Sequence, residues 1–443
     1  MESQLNHKRP PFSALKAVGF VLVSIVLTIA LSSCAASEEA REDRPERRPE
    51  PSGLNINDDS EEVESVQLHA GSGETSLPIV QLGSGLTIRL AFDLMTTRGR
   101  PLTVYFYHAD REWKRDLIPS EYLSIFHRDD LIDYRSSGAT FVDYVHYEYE
   151  FPNSTIDFRM SGNYILRVSE RGNEDEILFE RPFFVSEQST PMDMRLDNVL
   201  VAGRQFSSIQ PIVRFTPPDL TTNIFDYSVC FLRNSWYELS RCVENPSLDV
   251  RPDIQYYLEP RDSFGPRSSS YYLNLSDVRP GGRVERIDQN AIPWSVTMEP
   301  DYSNLGASGI SPFLNGQSVI REGVRSVGDP DHAAEYVAVT LRLVPPNEQR
   351  AAGRIFVAGS FSNWVVQERN ELFWDAGSGW YEGEVLMKQG QHEYRYFSND
   401  SSLQQRLDGG MPQVQNMFTT FIYLDDISIQ SDRLIATQGI ISR

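Results

Sequence analysis

The run Tyr336–Val344 reads YVAVTLRLV, and its strict alternation places Val337, Val339, Leu341 and Leu343 on one side of an extended chain. A period of two commits such a segment to a strand with one buried face. Short runs of the same kind, rich in Val, Ile, Tyr and Phe, recur between clusters of Gly, Pro, Asn and Asp from about residue 63 onward. Ser161–Val168 (SGNYILRV) is another: Tyr164, Leu166 and Val168 fall on one face, Ile165 and Arg167 on the other. Helix-period segments are scarce past the N-terminal apolar run. The pattern predicts an all-β chain of tandem β-sandwiches, and 443 residues allow two to four of them.

The N-terminal segment is of another kind. Lys8, Arg9 and Lys16 precede an apolar run from Ala17 to Leu31, which has the length of a signal h-region and is short of the roughly 20 residues of a comfortable membrane span. It ends in Leu31-Ser32-Ser33-Cys34, which resembles the lipobox of bacterial lipoproteins. That resemblance implies a signal peptide over 1–33 and lipidation of Cys34, anchoring the protein in a membrane by lipid. Ala35 after the cysteine fits sorting to the outer membrane. Residues 34–62, acidic and Pro-rich with few large apolar side chains, are expected to form a disordered tether. The acidic stretch Ser37-Glu38-Glu39 leaves a second reading open, export to the cell surface.

The chain carries 41 basic and 62 acidic residues, a net charge of −21, with no basic tract, which argues against nucleic acid as a partner. Of three cysteines, Cys34 is assigned to lipid. Cys230 and Cys242 flank a stretch that reads as two strands, Val229–Leu232 and Trp236–Leu239, about a turn near Asn234-Ser235. Antiparallel pairing there would bring the thiols close enough to bridge, and reduced, half-buried cysteines are the alternative. Motifs of catalysis are missing: there is no His-Glu-x-x-His, no Cys-x-x-Cys, no Gly-x-Ser-x-Gly and no phosphate-binding loop. The reading is of a non-enzyme without cofactors. His108 and His146, each beside acidic residues, are the only histidines worth weighing as a zinc pair. Hydrogen-bonding groups at a sheet edge near Trp113 are the preferred reading, so no metal ligand is assigned.

The ordered series HADREW, SEYL, YVHYEYEFPN and SGNYILRV, between His108 and Val168, resembles the first domain of the type IX secretion system plug proteins. Gly281–Arg286, Gly353–Trp364, Leu386–Gly390, Tyr394–Tyr396 and Asp432–Ile435 continue the likeness. The resemblance implies a non-enzymatic periplasmic subunit, lipid-anchored in the outer membrane, that docks on and seals the large β-barrel translocon SprA. The domain plan is then a signal at 1–33, a tether at 34–62, the plug-type first sandwich at 63–187, a second sandwich at 188–301, a linker at 302–335 and a third sandwich at 336–443. The polar and aromatic residues His108, Asp110, Trp113, Tyr122, His146 and Tyr147 are the candidate partner-binding cluster. A structural corner built by the same residues is the competing reading.

Val357–Trp364 (VAGSFSNW) resembles the sugar-facing corner of the glycogen-binding β-sandwiches related to early-set, immunoglobulin-like domains. There Trp364 would stack on a glucose ring and Asn416 would supply a polar contact. A second aromatic wall is missing, since Ser398–Leu403 contains no Trp, so the corner reads better as scaffold. An outer-membrane glycan-binding lipoprotein using this last sandwich is the alternative function.

Overall fold

The computed structural model describes residues 53–71, 73–202, 207–219, 221–247, 253–265, 270–302, 312–323, 329–345, 348–407 and 415–442. The expected signal segment and Cys34 lie outside them. Strands dominate, as the alternation requires, and fall into three sandwiches. Among the described residues no helix is long and apolar enough to cross a membrane.

In the first sandwich, one sheet has the order Val63–Ala70, Ile88–Leu94, Val145–Phe151, Tyr134–Ser136. The other has the order Ile79–Gln81, Ile177–Ser186, Gly162–Glu170, Leu102–Ala109, Arg128–Leu131. Inward positions of both meet in an aromatic core. Phe106 lies 5.0 Å from Phe151 and 5.8 Å from Phe158, and Phe92 sits between Tyr147 at 4.9 Å and Phe179 at 4.8 Å. In Gly162–Glu170 the alternation works as the sequence predicts. Tyr164, Leu166 and Val168 enter this core. Ile165 is buried on the opposite face, in a separate cluster with Trp113, Phe184, Leu232, Phe421 and Leu434. That cluster is the seam between the first and second sandwiches, closed at its rim by Tyr423 donating to Asn163 Oδ1 at 2.7 Å and by the Arg433–Glu187 ion pair.

The second sandwich packs Met192–Val199, Ser208–Phe215 and Ile254–Tyr257 against Arg241–Val243, Tyr227–Arg233, Met417–Asp426 and Ser431–Ile441. The C-terminal hairpin therefore does not close the third sandwich, where the sequence plan put it. Tyr227–Leu424 through Arg233–Phe418 pair residue by residue, and Phe418, Ile422, Ile435 and Ala436 bury against Val213, Phe215 and Tyr256. Cys230 stands opposite Cys242 in this sheet and the two are joined by a disulfide. The partner strand is Arg241–Val243; Tyr237–Leu239, expected to be strand, is a single 3₁₀ turn.

The third sandwich also begins earlier than expected. Tyr271–Asn274 and Trp294–Met298, assigned from sequence to the second sandwich, pair instead with Gly390–Ser398 and Tyr336–Val344, and Val284–Asp288 extends the sheet by pairing with Trp294–Met298. Glu371–Asp375 bonds to Ile355–Gly359 on one side and Trp380–Lys388 on the other, passing the chain between the two faces. Part of the expected linker is likewise built in: Val319–Ile320 pairs with Gly390–Ser398, and Pro330–Ala333 is a short helix against the first sandwich. The described end of the expected tether, residues 53–62, is also ordered. Ser60 N donates to Leu178 O at 2.8 Å, Arg181 pairs with Asp59 at 2.6 Å, and Leu54 and Ile56 pack on the seam between the first two sandwiches. Its acids meet buried or half-buried arginines, which composition alone does not reveal.

Candidate functional site

Two adjacent strands of the first sandwich define the most polar buried region. In Ile88–Leu94, Ile88, Leu90, Phe92 and Leu94 turn into the core, which leaves Arg89, Ala91 and Asp93 on the outer face. In Val145–Phe151 the same alternation buries Val145, Tyr147 and Phe151 and puts His146 and Glu148 outside. Asp93 lies opposite His146 in the register, and Ala91 opposite Glu148. The third sandwich covers this face, so its polar side chains need partners.

Asp93 has three. His146 Nδ1 donates to Oδ1 at 2.6 Å, while Lys388 Nζ and Tyr336 OH donate to Oδ2, each at 2.6 Å. Asp93, Lys388 and His146 are all buried. Lys388 also donates to Asp331 O at 2.7 Å and stands 4.3 Å above the Tyr144 ring. Burial pushes the Asp93 carboxyl up, but the Lys388 ammonium and the His146 hydrogen bond outweigh it and hold the group below its ordinary value. Burial likewise disfavours the His146 cation, and the Asp93 bond overcomes it and raises His146. Contact with His146, then with Arg89, holds Glu148 at about 2. Arg89 reaches both Glu148 Oε1 at 2.6 Å and Asp331 Oδ2 at 2.7 Å. His332, on the helix that carries Asp331, has its ring centre 5.0 Å from that of His146. The arrangement ties two sandwiches together by charge.

The candidate cluster read from sequence does not form a free surface. His108 is buried, bonded through Nδ1 to Asp116 at 2.8 Å and through Nε2 to Ser161 O at 3.1 Å, and edges onto Tyr164. Tyr122 donates to Phe106 O at 2.7 Å. Asp110 accepts from the Glu112 and Lys114 backbone N–H groups and so shapes the turn that delivers Trp113 against Phe184 in the seam. Tyr147 stacks on Phe92 and donates to Arg100 O. His108, Asp110, Trp113 and Tyr122 therefore build a corner and a seam, Tyr147 belongs to the core of the first sandwich, and His146, on the same strand as Tyr147, belongs to the Asp93 group. The zinc pair His108 and His146 is likewise separated between two sheets.

The two candidate sugar residues are also engaged. Trp364 donates Nε1–H to Gly316 O at 2.8 Å, and its ring meets Trp236 of the second sandwich at 4.9 Å. Asn416 is buried in the second sandwich, accepting from Asn234 Nδ2 at 2.9 Å. Gly359, in the same corner as Trp364, is extended. It is needed because a Cβ there would lie 2.3 Å from Glu393 O.

Four exposed large apolar side chains fall in one stretch of sequence, between Ile118 and Ile132 of the first sandwich: Ile118, Ile125, Phe126 (59% exposed) and Ile132 (70% exposed). This segment joins Leu102–Ala109 to Arg128–Leu131 and continues past it, held by Ser124 N to Asp157 O at 2.9 Å and by the Leu123–Phe158 bridge. Neither it nor His332 was singled out from sequence, because exposure and cross-sandwich proximity leave no periodic signal.

A crystal structure of a hypothetical protein from Parabacteroides merdae is similar to this chain with a TM-score of 0.78, over 87% of this chain and 99% of its own. At 22% identity the likeness shows a common fold. No curated protein matches. Residues 63–187 match the family model of the type 9 secretion system plug protein 1st domain, over the whole of the first sandwich. The segment whose motifs, sheet order and aromatic core were described above is thus similar to the first domain of the type 9 secretion system plug proteins.

Proposed function

We propose that this protein is a non-enzymatic plug subunit of the type 9 secretion apparatus, anchored to the outer membrane through lipid on Cys34, facing the periplasm, and docking on the SprA barrel to seal it. The observation that carries the reading is the plug first domain at 63–187, which bears the exposed apolar side chains Ile118, Ile125, Phe126 and Ile132. Where such side chains form one patch, they mark a protein-binding surface. Three sandwiches joined by buried seams present that segment on a pre-ordered body, which reduces the ordering cost of docking. A lipid tether raises the effective concentration of the body at the membrane. The glycan-binding alternative is not carried forward, since Trp364 and Asn416 are engaged within the protein.

The experiment is a mild-detergent purification of the full-length protein from its native envelope, with co-purifying proteins identified by mass spectrometry. A giant outer-membrane barrel in near-equal amount is expected. Phe126→Asp and Ile132→Asp should each stay folded and recover about tenfold less barrel. Leu200→Asp, at an exposed position of the second sandwich, should recover as much as the unaltered chain. Purification without any barrel, or equal recovery by all the variants, refutes the proposal. Protease treatment of intact cells checks the facing side: a periplasmic protein is protected.

A further inference from the structure

We infer that the seam between the first and third sandwiches is a binding site for one divalent transition-metal ion, with zinc as the best fit and His146, Glu148, Asp331 and His332 as its ligands. His146, Glu148 and Asp331 offer ligand atoms that all lie within 4.8 Å of one another, and so do Glu148, Asp329 and His332. Glu148 belongs to both groups, and the two imidazole rings are nearly perpendicular, at 87°. Four donors around zinc stand about 3.4 Å apart for bonds of about 2.1 Å, so the donors of each group must draw in, and Glu148, common to both groups, is the ligand that would bring them onto one ion.

The histidines supply the independent observation. His146 is 3% exposed, and its Nε2 makes no hydrogen bond but faces Glu148 Oε1 as a 3.5 Å ion pair when the ring is protonated. In the neutral ring a buried imidazole nitrogen without a hydrogen bond is costly, and an ion bound to its lone pair would remove that cost. His332 Nδ1 is buried and unpartnered in the same way. On its other side His146 donates Nδ1–H to Asp93, which Lys388 and Tyr336 hold in place. When the ring is neutral, a histidine so bonded to a carboxylate presents its second nitrogen as an acceptor, which is the usual outer-shell arrangement of a metal-binding histidine. Arg89 holds Glu148 through Oε1 and Asp331 through Oδ2, which leaves Glu148 Oε2 and Asp331 Oδ1 for the ion. Two imidazoles with two carboxylates favour zinc over magnesium or calcium, which prefer all-oxygen shells. The ion would clamp Val145–Phe151 of the first sandwich to Pro330–Ala333 beneath the third, and the inference is independent of the plug reading.

The test is made on the purified full-length chain, stripped with a chelator and titrated with zinc by calorimetry, with cobalt(II) absorption as a second probe. The expected results are one ion per chain, a cobalt spectrum in the visible, and a raised midpoint of thermal unfolding with zinc. His332→Ala and Glu148→Gln, whose folding is checked by near-ultraviolet circular dichroism, should bind zinc about tenfold or more weakly. The unaltered chain alone decides if either variant misfolds. Absence of saturable binding by that chain, or unchanged affinity in folded variants, overturns the inference.

Discussion

Replacing Asp93 with Asn tests whether the charge group between the first and third sandwiches holds them together. Asn has nearly the same shape but no charge. In the unaltered protein Lys388 is 2% exposed and has Asp93 as its only ion-pair partner among the described residues. After the substitution its ammonium keeps Asp331 O and the Tyr144 ring, neither of which carries a countercharge. Leaving a buried charge uncompensated typically costs about 3–5 kcal/mol. Against a typical total stability of about 5–15 kcal/mol this is a large loss. Equilibrium unfolding in urea, followed by tryptophan fluorescence and circular dichroism together, reads it. Asp93→Asn/Lys388→Met removes both charges and should regain most of the loss, with a coupling of about 2 kcal/mol or more. The pH dependence follows from the two shifts. Asp93 is lowered, so its contribution is present above the ordinary 3.8 and is lost as pH falls through its folded value. His146 is raised, so its contribution is present below the ordinary 6.5 and is lost as pH rises through its folded value. In the metal-free protein the seam is therefore strongest between those two ordinary values. A cost below about 1 kcal/mol for Asp93→Asn, or additive single substitutions in the double variant, would refute the reasoning.

Burial raises Glu393 from 4.5 to about 7, so its neutral form suits the fold, and stability is lost as pH rises from 4.5 through 7. Glu393→Gln should remove that loss, gaining up to about 3 kcal/mol at pH 8 at 1.36 kcal/mol per pH unit and little near pH 4.5; a gain that does not vary with pH would count against burial as the cause. Cys230→Ser should cost about 3 kcal/mol, the loop-closure value for a sequence separation of 12, and should make the protein's unfolding midpoint insensitive to added reductant.

Much of the strand content was open to reading in advance because alternation is a local property. Tyr336–Val344 and Gly162–Glu170 need only their own side chains to declare a buried and an opposite face. The likeness of the first sandwich to a plug protein first domain was also legible, since its motifs follow one another within a single continuous stretch, and 63–187 is the range that the family model matches. Strand partnership was not legible. Met417–Ile441 has the same period of two whether it joins the third sandwich or the second, and it joins the second because Phe418 and Ile422 complete a core begun near Val213. Tyr271–Met298 enters the third for the same kind of reason.

The sites divide along the same line. His108, Trp113, Tyr122 and Tyr147 look like surface chemistry in one dimension, yet a second sheet and a second sandwich cover them. His146 and His332 are far apart in the chain and adjacent in the fold. A residue's type and its spacing to near neighbours fix its conformation and its inward or outward sense. Which distant surface covers the outward sense, and so which polar groups meet in the dark between sandwiches, depends on long-range pairing that no local period encodes.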